Sequence, residues 1–398
     1  MHRLIALDIP ADMYPGALLR AWDDGDAVAP IDHRLPKNAK QLQLDATMPT
    51  HVLRADGEIY KMDGRTPVDA GDALVMTTSG TTGQPKGVVL TMEALKASAT
   101  ATSARLQVDP AADRWLACLP LSHIGGFSVL AKAIFTGTPL TVINEFDAEA
   151  VEAEARNGCN IVSLVSTAMQ RIDTSLFKII VLGGSAPPKA VPSNAVVTYG
   201  MTESGSGCVY DGFPLDGIEV AVRMGSPAGR IGNPTNEEII SRHGTGEVML
   251  RGKMLLRCYR DGGDPKDAGG WFGTGDIGTV DECGRLQVTG RMSEVINTGG
   301  EKVSPEQVER VLHDHSLVHE AAVIGVPDVE WGEKVVACVV PEYPDNPPSL
   351  QQLAELVRTT LAPWAAPKEL RVVDSLPRTS ISKIDRQALK AIYLIREM

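Results

Sequence analysis

The chain has 398 residues, 43% of them apolar, and its 38 basic and 50 acidic side chains give a net charge of −12. This composition is ordinary for a globular protein of two or three domains. The acidic balance argues against nucleic acid or an anionic membrane as a partner. The sequence contains no apolar run long enough for a transmembrane helix, and its N-terminus lacks the apolar core of a signal peptide. The six cysteines are scattered without a C-x-x-C pair, which argues against a metal site and favours the reducing cytoplasm.

A phosphate-binding loop is the most specific local pattern. Residues before about 72 give weak periodic signals, but the apolar run 73–76 predicts a buried strand that leads into a segment dense in hydroxyls and glycines. Glycines let backbone N–H groups approach an anion, hydroxyls donate hydrogen bonds, and a lysine adds positive charge. The Walker A pattern is excluded, because Gly87 stands where that pattern requires Ser or Thr. The predicted loop residues are Thr77, Thr78, Ser79, Gly80, Thr81, Thr82, Gly83 and Lys86.

Short apolar segments then alternate with helical patterns. Helices are predicted at 91–106, 129–135 and 148–156, and strands at 115–119, 140–143, 161–165 and 178–182. This alternation favours a layered α/β domain with largely parallel strands.

The last third of the chain has a different pattern. Segments 247–250 and 285–288 predict strands of a smaller β-rich subdomain. Ser304, Pro305 and Gln307 then form a helix start, with Ser as the cap and Pro at the first position. Strands predicted at 321–325, 335–340 and 370–373 complete a compact α+β domain. We therefore place a domain boundary after Arg291, giving domains 1–291 and 292–398.

Four further segments follow the phosphate loop in a characteristic order: Tyr199-Gly200-Met201-Thr202-Glu203, Trp271-Phe272-Gly273-Thr274-Gly275-Asp276, Gly290-Arg291 leading into Asn297-Thr298-Gly299-Gly300-Glu301-Lys302, and Pro377-Arg378-Thr379-Ser380-Ile381-Ser382-Lys383-Ile384. From about residue 73 to the end, the chain thereby resembles the adenylate-forming superfamily of acyl- and aryl-CoA synthetases, luciferases and peptide-synthetase adenylation domains. The resemblance implies an α/β fold with a large N-terminal domain and a small, mobile C-terminal lid. Relative to this family the region before the loop is short, which indicates a reduced first subdomain or a truncated start.

The resemblance also implies the reaction. A carboxylate attacks the α-phosphorus of ATP with release of pyrophosphate, and a thiol, usually that of CoA, then attacks the acyl-adenylate. Because two anions must meet in the first step, catalysis needs cations and fixed dipoles around the phosphates. By resemblance, Lys383 is the catalytic cation, although Ser382 stands where relatives usually have glycine. Glu203 is the Mg²⁺ ligand, and Thr202 contacts the phosphates.

The nucleotide and CoA sites follow from the same resemblance. Tyr199 is expected to pack on adenine, Asp276 to accept from the ribose hydroxyls, and Arg291 to assist there. Ser293 is expected at the hinge of the lid, where a small residue tolerates a large backbone change. The remaining expected AMP-binding residues are Gly183, Gly184, Gly200 and Met201, and the expected CoA-binding residues, for which plain packing is the alternative, are Gly299, Gly300, Lys302 and Trp331.

The acid is the least determined part. His123 resembles the histidine that lines the acyl pocket, with a helix-start histidine as the alternative. Two segments look similar to o-succinylbenzoate–CoA ligases of menaquinone synthesis. They are residues 160–169, which include Ser166, and residues 182–187. That acid carries a second carboxylate, for which Arg171 on the helix after Thr167 is a candidate partner, unless it is an exposed helical arginine.

The expected partners are therefore a small carboxylic acid, ATP with Mg²⁺, and CoA. Medium-chain fatty acid or aryl acid–CoA ligases, and a stand-alone adenylation enzyme that loads a carrier protein, remain alternatives, as does a non-catalytic sensor. Assembly as a homodimer is compatible with this sequence.

Overall fold

The computed structural model describes residues 2–78, 85–184, 187–188, 190–224, 239–378 and 384–396. The chain divides into two compact units. The first comprises Met1–Val220, Met249–Gly273 and Gly284–Leu286, and the second comprises Ala221–Val248, Thr274–Cys283 and Gln287–Met398.

The strands are short and numerous, as expected for layered α/β architecture. In chain order they are β1 Leu4–Asp8, β2 Ala27–Pro30, β3 His51–Arg54, β4 Ile59–Lys61, β5 Asp72–Thr78, β6 Lys86–Thr91, β7 Trp115–Ala117, β8 Leu140–Val142, β9 Ile161–Leu164, β10 Ile179–Leu182, β11 Ala195–Met201, β12 Ser206–Tyr210, β13 Phe213–Pro214, β14 Ile218–Met224, β15 Ile239–Ser241, β16 Gly244–Gly252, β17 Cys258–Tyr259, β18 Phe272–Val280, β19 Leu286–Arg291, β20 Ile296–Thr298, β21 Glu301–Val303, β22 Val318–Asp328, β23 Gly332–Pro341 and β24 Glu369–Val372.

Several helices begin at residues whose side chains satisfy the free N–H groups of the first turn. The Thr91 hydroxyl accepts from the Ala94 N–H at 3.1 Å, and the Asp147 carboxylate accepts from the Ala150 N–H at 2.9 Å. The α-helices are α1 Tyr14–Asp23, α2 Lys37–Thr47, α3 Met92–Leu106, α4 Ile124–Thr136, α5 Ala148–Arg156, α6 Ser166–Met169, α7 Pro305–Leu312, α8 Leu350–Thr360 and α9 Arg386–Arg396.

Two seven-stranded sheets form the first unit. One has the order β17-β6-β5-β2-β1-β3-β4, in which β5, β2, β1 and β3 are parallel and the outer strands are antiparallel. The other has the order β13-β12-β11-β10-β9-β7-β8, in which the strands from β11 to β8 are parallel. The central strands are buried on both faces, which explains their continuous apolar sequences.

Two five-stranded sheets complete the architecture. One has the order β15-β14-β16-β18-β19, and the other has the order β21-β20-β23-β22, with β24 also pairing with β23. The long β22–β23 hairpin separates two apolar clusters, because alternate residues point to opposite faces of a strand. Val323 and Val335 belong to the cluster under α7 and α8, whereas Ile324 and Val336 belong to the cluster under α9.

The predicted α/β class with mixed and parallel sheets is confirmed. Every helix and strand predicted between 91 and 182 is present, with ends displaced by a few residues, and so are the later strands. The capping prediction at Ser304 is only half correct: the helix starts at Pro305, but the Ser304 hydroxyl donates to the Thr289 carbonyl at 2.8 Å instead of capping it. The described helices include none that is long and apolar enough to cross a membrane.

Candidate active site

The predicted phosphate loop connects two antiparallel strands. Thr77 and Thr78 end β5, Lys86 begins β6, and Thr78 is paired with Lys86 across the two strands. A strand therefore follows the loop, where a P-loop NTPase has a helix. Some predicted site residues lie outside the described residues, namely Ser79, Gly80, Thr81, Thr82, Gly83 and Lys383.

Three predicted segments meet at one edge of the second sheet. Ser166 follows β9, Gly183 and Gly184 follow β10, and Tyr199 lies near the end of β11. Because β9, β10 and β11 are parallel, their carboxyl ends lie side by side. The Gly183 N–H donates to the Leu164 carbonyl at 3.1 Å, which holds the ends of β9 and β10 together. Ligands of open α/β sheets bind at this edge.

Gly200 and Glu203 lie where β11 turns into β12. A β-carbon at Gly200 would lie 2.1 Å from the Ser206 carbonyl oxygen, so only glycine fits between these strands. Met201 donates its N–H to the Ser204 hydroxyl at 3.0 Å and thereby closes the turn that contains Thr202 and Glu203. The residue Glu203 is only 9% exposed. Gly200 is thus required by strand packing, and the turn fixes the backbone of the predicted Mg²⁺ ligand.

Tyr259 connects two of the predicted residues and was not predicted. Its hydroxyl donates to Oε1 of Glu203 at 3.1 Å, and Nζ of Lys86 lies 5.1 Å from the centroid of its ring. Burial, together with the Glu203 charge, raises the pKa of Tyr259 above its ordinary value. None of the recognised motifs contains this tyrosine, which lies 56 positions from Glu203.

The candidate acid-binding residues have different surroundings. His123 precedes α4 in an extended conformation, and its side chain does not cap the helix. The hydroxyl of Ser166 is buried and has no hydrogen-bond partner among the described residues. Arg171 is exposed, and its guanidinium lies 5.0 Å from the centroid of the Phe146 ring. The expectation that Arg171 lies on a helix is wrong, because α6 ends at Met169.

In the second unit, Asp276 and Arg291 form an ion pair. The Arg291 Nε lies 2.8 Å from Oδ1 of Asp276, on neighbouring strands β18 and β19. The Asp276 side chain is 7% exposed, and the Arg291 side chain is 40% exposed. The Asp276 N–H also donates to the Thr274 hydroxyl at 3.0 Å. The two predicted ribose-binding residues are thus brought together.

Among the predicted CoA residues of the second unit, Gly299 contacts the exposed Trp331. Gly299 donates its N–H to the Trp331 carbonyl at 2.8 Å, and Gly300 follows in the same turn between β20 and β21. Lys302 lies on β21 and is exposed. Lys368, which was not predicted, places its Nζ 4.4 Å from the centroid of the Trp331 ring, and partial burial lowers the pKa of this lysine. The Lys368 ammonium group is thus attracted to one face of the Trp331 ring.

The predicted hinge residue Ser293 is exposed, in a single turn that ends at Glu294. Arg386, at the start of α9, pairs with Glu294 at 2.9 Å and with Glu309 of α7 at 2.6 Å. These ion pairs link the turn that contains Ser293 to the residues that follow Lys383 in sequence.

Family models and known proteins match most of the chain. Residues 16–260 match the model of the AMP-binding enzyme family, and residues 307–383 match the model of the AMP-binding enzyme C-terminal domain. A probable 2-succinylbenzoate–CoA ligase of Mycobacterium tuberculosis is 38% identical over 347 residues, which is 81% of this chain and 85% of that protein.

Solved structures of a Bacillus subtilis enzyme share the fold. An o-succinylbenzoate CoA synthetase in complex with the acyl-adenylate intermediate OSB-AMP aligns with a TM-score of 0.80 at 26% identity, over 98% of this chain and 88% of that one. The same synthetase with ATP and a magnesium ion aligns with a TM-score of 0.79 at 26% identity, over 98% and 89% of the two chains.

Proposed function

Because this chain belongs to the AMP-binding enzyme family, we propose that it is an ATP-dependent acid–CoA ligase whose acid is 2-succinylbenzoate (o-succinylbenzoate). The observation that carries the proposal is the similarity of nearly the whole chain to a synthetase captured with the acyl-adenylate of this acid. The 38% identity to a probable ligase for the same acid supports it. The product would serve menaquinone biosynthesis.

In the first half-reaction, a carboxylate oxygen forms a bond to the α-phosphorus of ATP, and the bond to the pyrophosphate oxygen breaks. Lys86, with the loop that precedes it, is proposed to hold the phosphates, and Thr202 to donate a hydrogen bond to them. Lys383 is proposed to neutralise the carboxylate and the α-phosphate as they approach each other. No protein nucleophile is needed.

Glu203 fits a role as the Mg²⁺ ligand. It is a buried carboxylate that already accepts a hydrogen bond from a neutral hydroxyl, and Mg²⁺ prefers one or two carboxylates together with phosphate oxygens. When bound, the ion would supply charge neutralisation on the phosphates. The residues around it have a separate task, which is to hold the carboxylate in one orientation.

The nucleotide is proposed to bind through its base and its sugar. Tyr199, with Met201 and the Gly183–Gly184 turn, is proposed to contact adenine. Asp276 is proposed to accept from the ribose hydroxyls, with Arg291 orienting its carboxylate across the 2.8 Å ion pair.

In the second half-reaction, the CoA thiol loses its proton to solvent as its sulfur attacks the acyl carbon, and AMP leaves with the bonding electrons of the acyl–phosphate anhydride bond. Gly299, Gly300 and Lys302 are proposed to line the path of the pantetheine, and Trp331 with Lys368 to receive the nucleotide end. A ring that faces solvent and carries a lysine 4.4 Å from its centroid supports this role.

The acid is proposed to bind beside β9 and the start of α4. The buried Ser166 hydroxyl without a described partner supports a hydrogen bond to the acid. His123 is proposed to line the same pocket, and Arg171 to face the second carboxylate at its mouth.

The proposed organisation is an N-terminal domain of residues 1–291 and a C-terminal domain of residues 292–398, with a hinge at Ser293. The cytoplasm is the proposed location, which the six free cysteines support. A homodimer remains the proposed assembly.

The test is pyrophosphate release with MgATP and CoA across a panel of acids that includes 2-succinylbenzoate, substituted benzoates and fatty acids of different lengths. We expect pyrophosphate release that depends on CoA when 2-succinylbenzoate is the acid. Turnover only with another acid would show that the proposed acid is wrong. Turnover only with a pantetheinylated carrier protein would show that CoA is not the acceptor. A second test concerns Lys383. The variant Lys383→Ala should abolish adenylate formation but leave thioester formation from preformed adenylate largely intact. Equal loss of both half-reactions would contradict the role of Lys383.

A further inference from the structure

A short segment, residues 256–260, joins the two phosphate-site motifs of the first unit. Its strand β17 pairs with β6, where Tyr259 lies opposite Val88. At one end the Arg260 N–H donates to the Gly87 carbonyl at 2.7 Å, and at the other end the Leu256 N–H donates to the Glu203 carbonyl at 2.7 Å. The segment is therefore bonded to the end of the phosphate loop and to the turn of the Mg²⁺ ligand.

Hydrogen bonds of Arg257 and Arg260 and a close backbone contact hold the segment in place. The Arg257 guanidinium makes two hydrogen bonds of 2.8 Å to the carboxylate of Asp72. Arg260 donates to the backbone carbonyls of residues 47–48, at the end of α2, and of residues 66–67. A β-carbon at Gly87 would lie 2.6 Å from the Ala46 carbonyl oxygen and 2.8 Å from Cβ of Arg260, so β6 and the segment are in close contact. The backbone of the segment, from which the Tyr259 side chain projects, is therefore held in place.

Tyr259 is the side chain that reaches both motifs. Its hydroxyl donates to Oε1 of Glu203 at 3.1 Å, while Nζ of Lys86 lies 5.1 Å from its ring centroid. A hydroxyl that donates to a carboxylate restricts the orientations of that carboxylate, and an aromatic face attracts an ammonium group. One residue thereby restricts both the anion and the cation of the phosphate site.

We propose that Tyr259 is a positioning residue, which orients Glu203 for the metal and Lys86 for the phosphates of MgATP. This inference rests on the proposed function, since it assumes that the site binds MgATP. The hydroxyl acts through Glu203, so its loss should weaken the metal-dependent part of nucleotide binding. The ring acts through Lys86, so its loss should weaken binding whether or not the metal is present.

The experiment is calorimetric titration of the whole protein with ATP, once with excess Mg²⁺ and once with EDTA. Tyr259→Phe should raise the Kd for MgATP about 10-fold, as loss of a hydrogen bond to a metal ligand does, and leave the Kd for metal-free ATP unchanged. Tyr259→Leu should raise both. Tyr60→Phe is the matched control, because Tyr60 also donates to a carboxylate, that of Asp56 at 2.9 Å, but on an exposed surface. Its two Kd values should equal those of the wild type.

The outcomes separate the inference from the proposed function. If Tyr259→Phe binds MgATP as tightly as the wild type, or loses both affinities in parallel with a fall in the melting temperature of the free protein, the positioning role is wrong. If the wild type binds MgATP but forms no acyl-CoA from any acid of the panel, the proposed function fails while the ratio of Kd values still decides the role of Tyr259.

Discussion

At the scale of single residues, one ion pair holds Asp276, the carboxylate that is proposed to bind the ribose. Its side chain is almost buried and is held by the Arg291 guanidinium, while its backbone N–H donates to the Thr274 hydroxyl within β18. A carboxylate fixed in this way can accept two hydrogen bonds from a ribose without losing further side-chain entropy. We therefore expect the ribose hydroxyls to contribute strongly to nucleotide binding.

Asp276→Ala should remove this contribution. The wild type is expected to prefer ATP over 2′-deoxy-ATP by roughly 10- to 100-fold in kcat/KM, the value of a hydrogen bond to a charged group, and the variant should lose the preference. Initial rates of pyrophosphate release with both nucleotides measure it. Asp281→Ala, which removes an exposed turn carboxylate bonded to the Cys283 N–H, should keep the preference. An unchanged preference in Asp276→Ala would contradict the ribose assignment.

The site residues that the sequence could identify belong to recognised motifs. The site residues that it missed contact the motif residues only in the folded chain. Asp276 and Arg291 are 15 positions apart in sequence and were assigned by resemblance, and the structure places them 2.8 Å apart. Tyr259 and Lys368 have no such motif. Tyr259 reaches Glu203 across 56 positions, a contact that depends on β17 pairing with β6, which no local pattern indicates.

At the scale of elements, α4 contains a lysine in an apolar environment. Lys132 is 2% exposed, its Nζ donates to the Ser128 hydroxyl at 3.1 Å, and it lies 5.6 Å from the Trp115 ring centroid. It has no ion pair among the described residues. Burial lowers the pKa of Lys132 from 10.5 to about 8. Between these values the unfolded chain holds one proton more than the folded chain, so stability rises with pH across that window.

Lys132→Met should therefore stabilise the protein at neutral pH. Below pH 8 the wild type carries the full cost of the buried charge, about 3 kcal/mol for a shift of this size. The gain in the free energy of unfolding should shrink as pH rises from 8 towards 10.5. Urea unfolding at pH 7 and at pH 9.5 measures both effects. Lys96→Met on the exposed face of α3 is the control, with no pH-dependent difference expected. A variant that is less stable at both pH values would contradict the assignment.

Several of the elements that sequence reasoning missed lie before residue 72. There, β1, β2 and β3 are four or five residues long and belong to one sheet, and β2 is buried throughout although it ends in proline. Strands this short give little periodicity, and they are stabilised by pairing with one another and, through β2, with β5, which is distant in sequence. The helices α3 and α5 were predictable because Thr91 and Asp147 cap them locally.

At the scale of the whole molecule, the position of the domain boundary remains a prediction. The two apolar clusters on either side of the β22–β23 hairpin consist of residues beyond 291, from Ile296 to Ala366 in one and from Ala322 to Tyr393 in the other. The Arg386 ion pairs to Glu294 and Glu309 also lie within this part. The core of the C-terminal part is thus made by the C-terminal part itself.

A fragment of residues 292–398 should consequently fold by itself. A domain of roughly 100 residues with its own core is expected to unfold cooperatively, with a free energy of unfolding of about 5–10 kcal/mol. Circular dichroism and urea titration of the fragment measure this, and Val335→Ala, which removes two methyl groups from one cluster, should lower the midpoint. The fragment 292–398 could instead unfold without a cooperative transition, while a longer fragment that includes residues 221–283 unfolds cooperatively. That result would place the boundary earlier than Arg291.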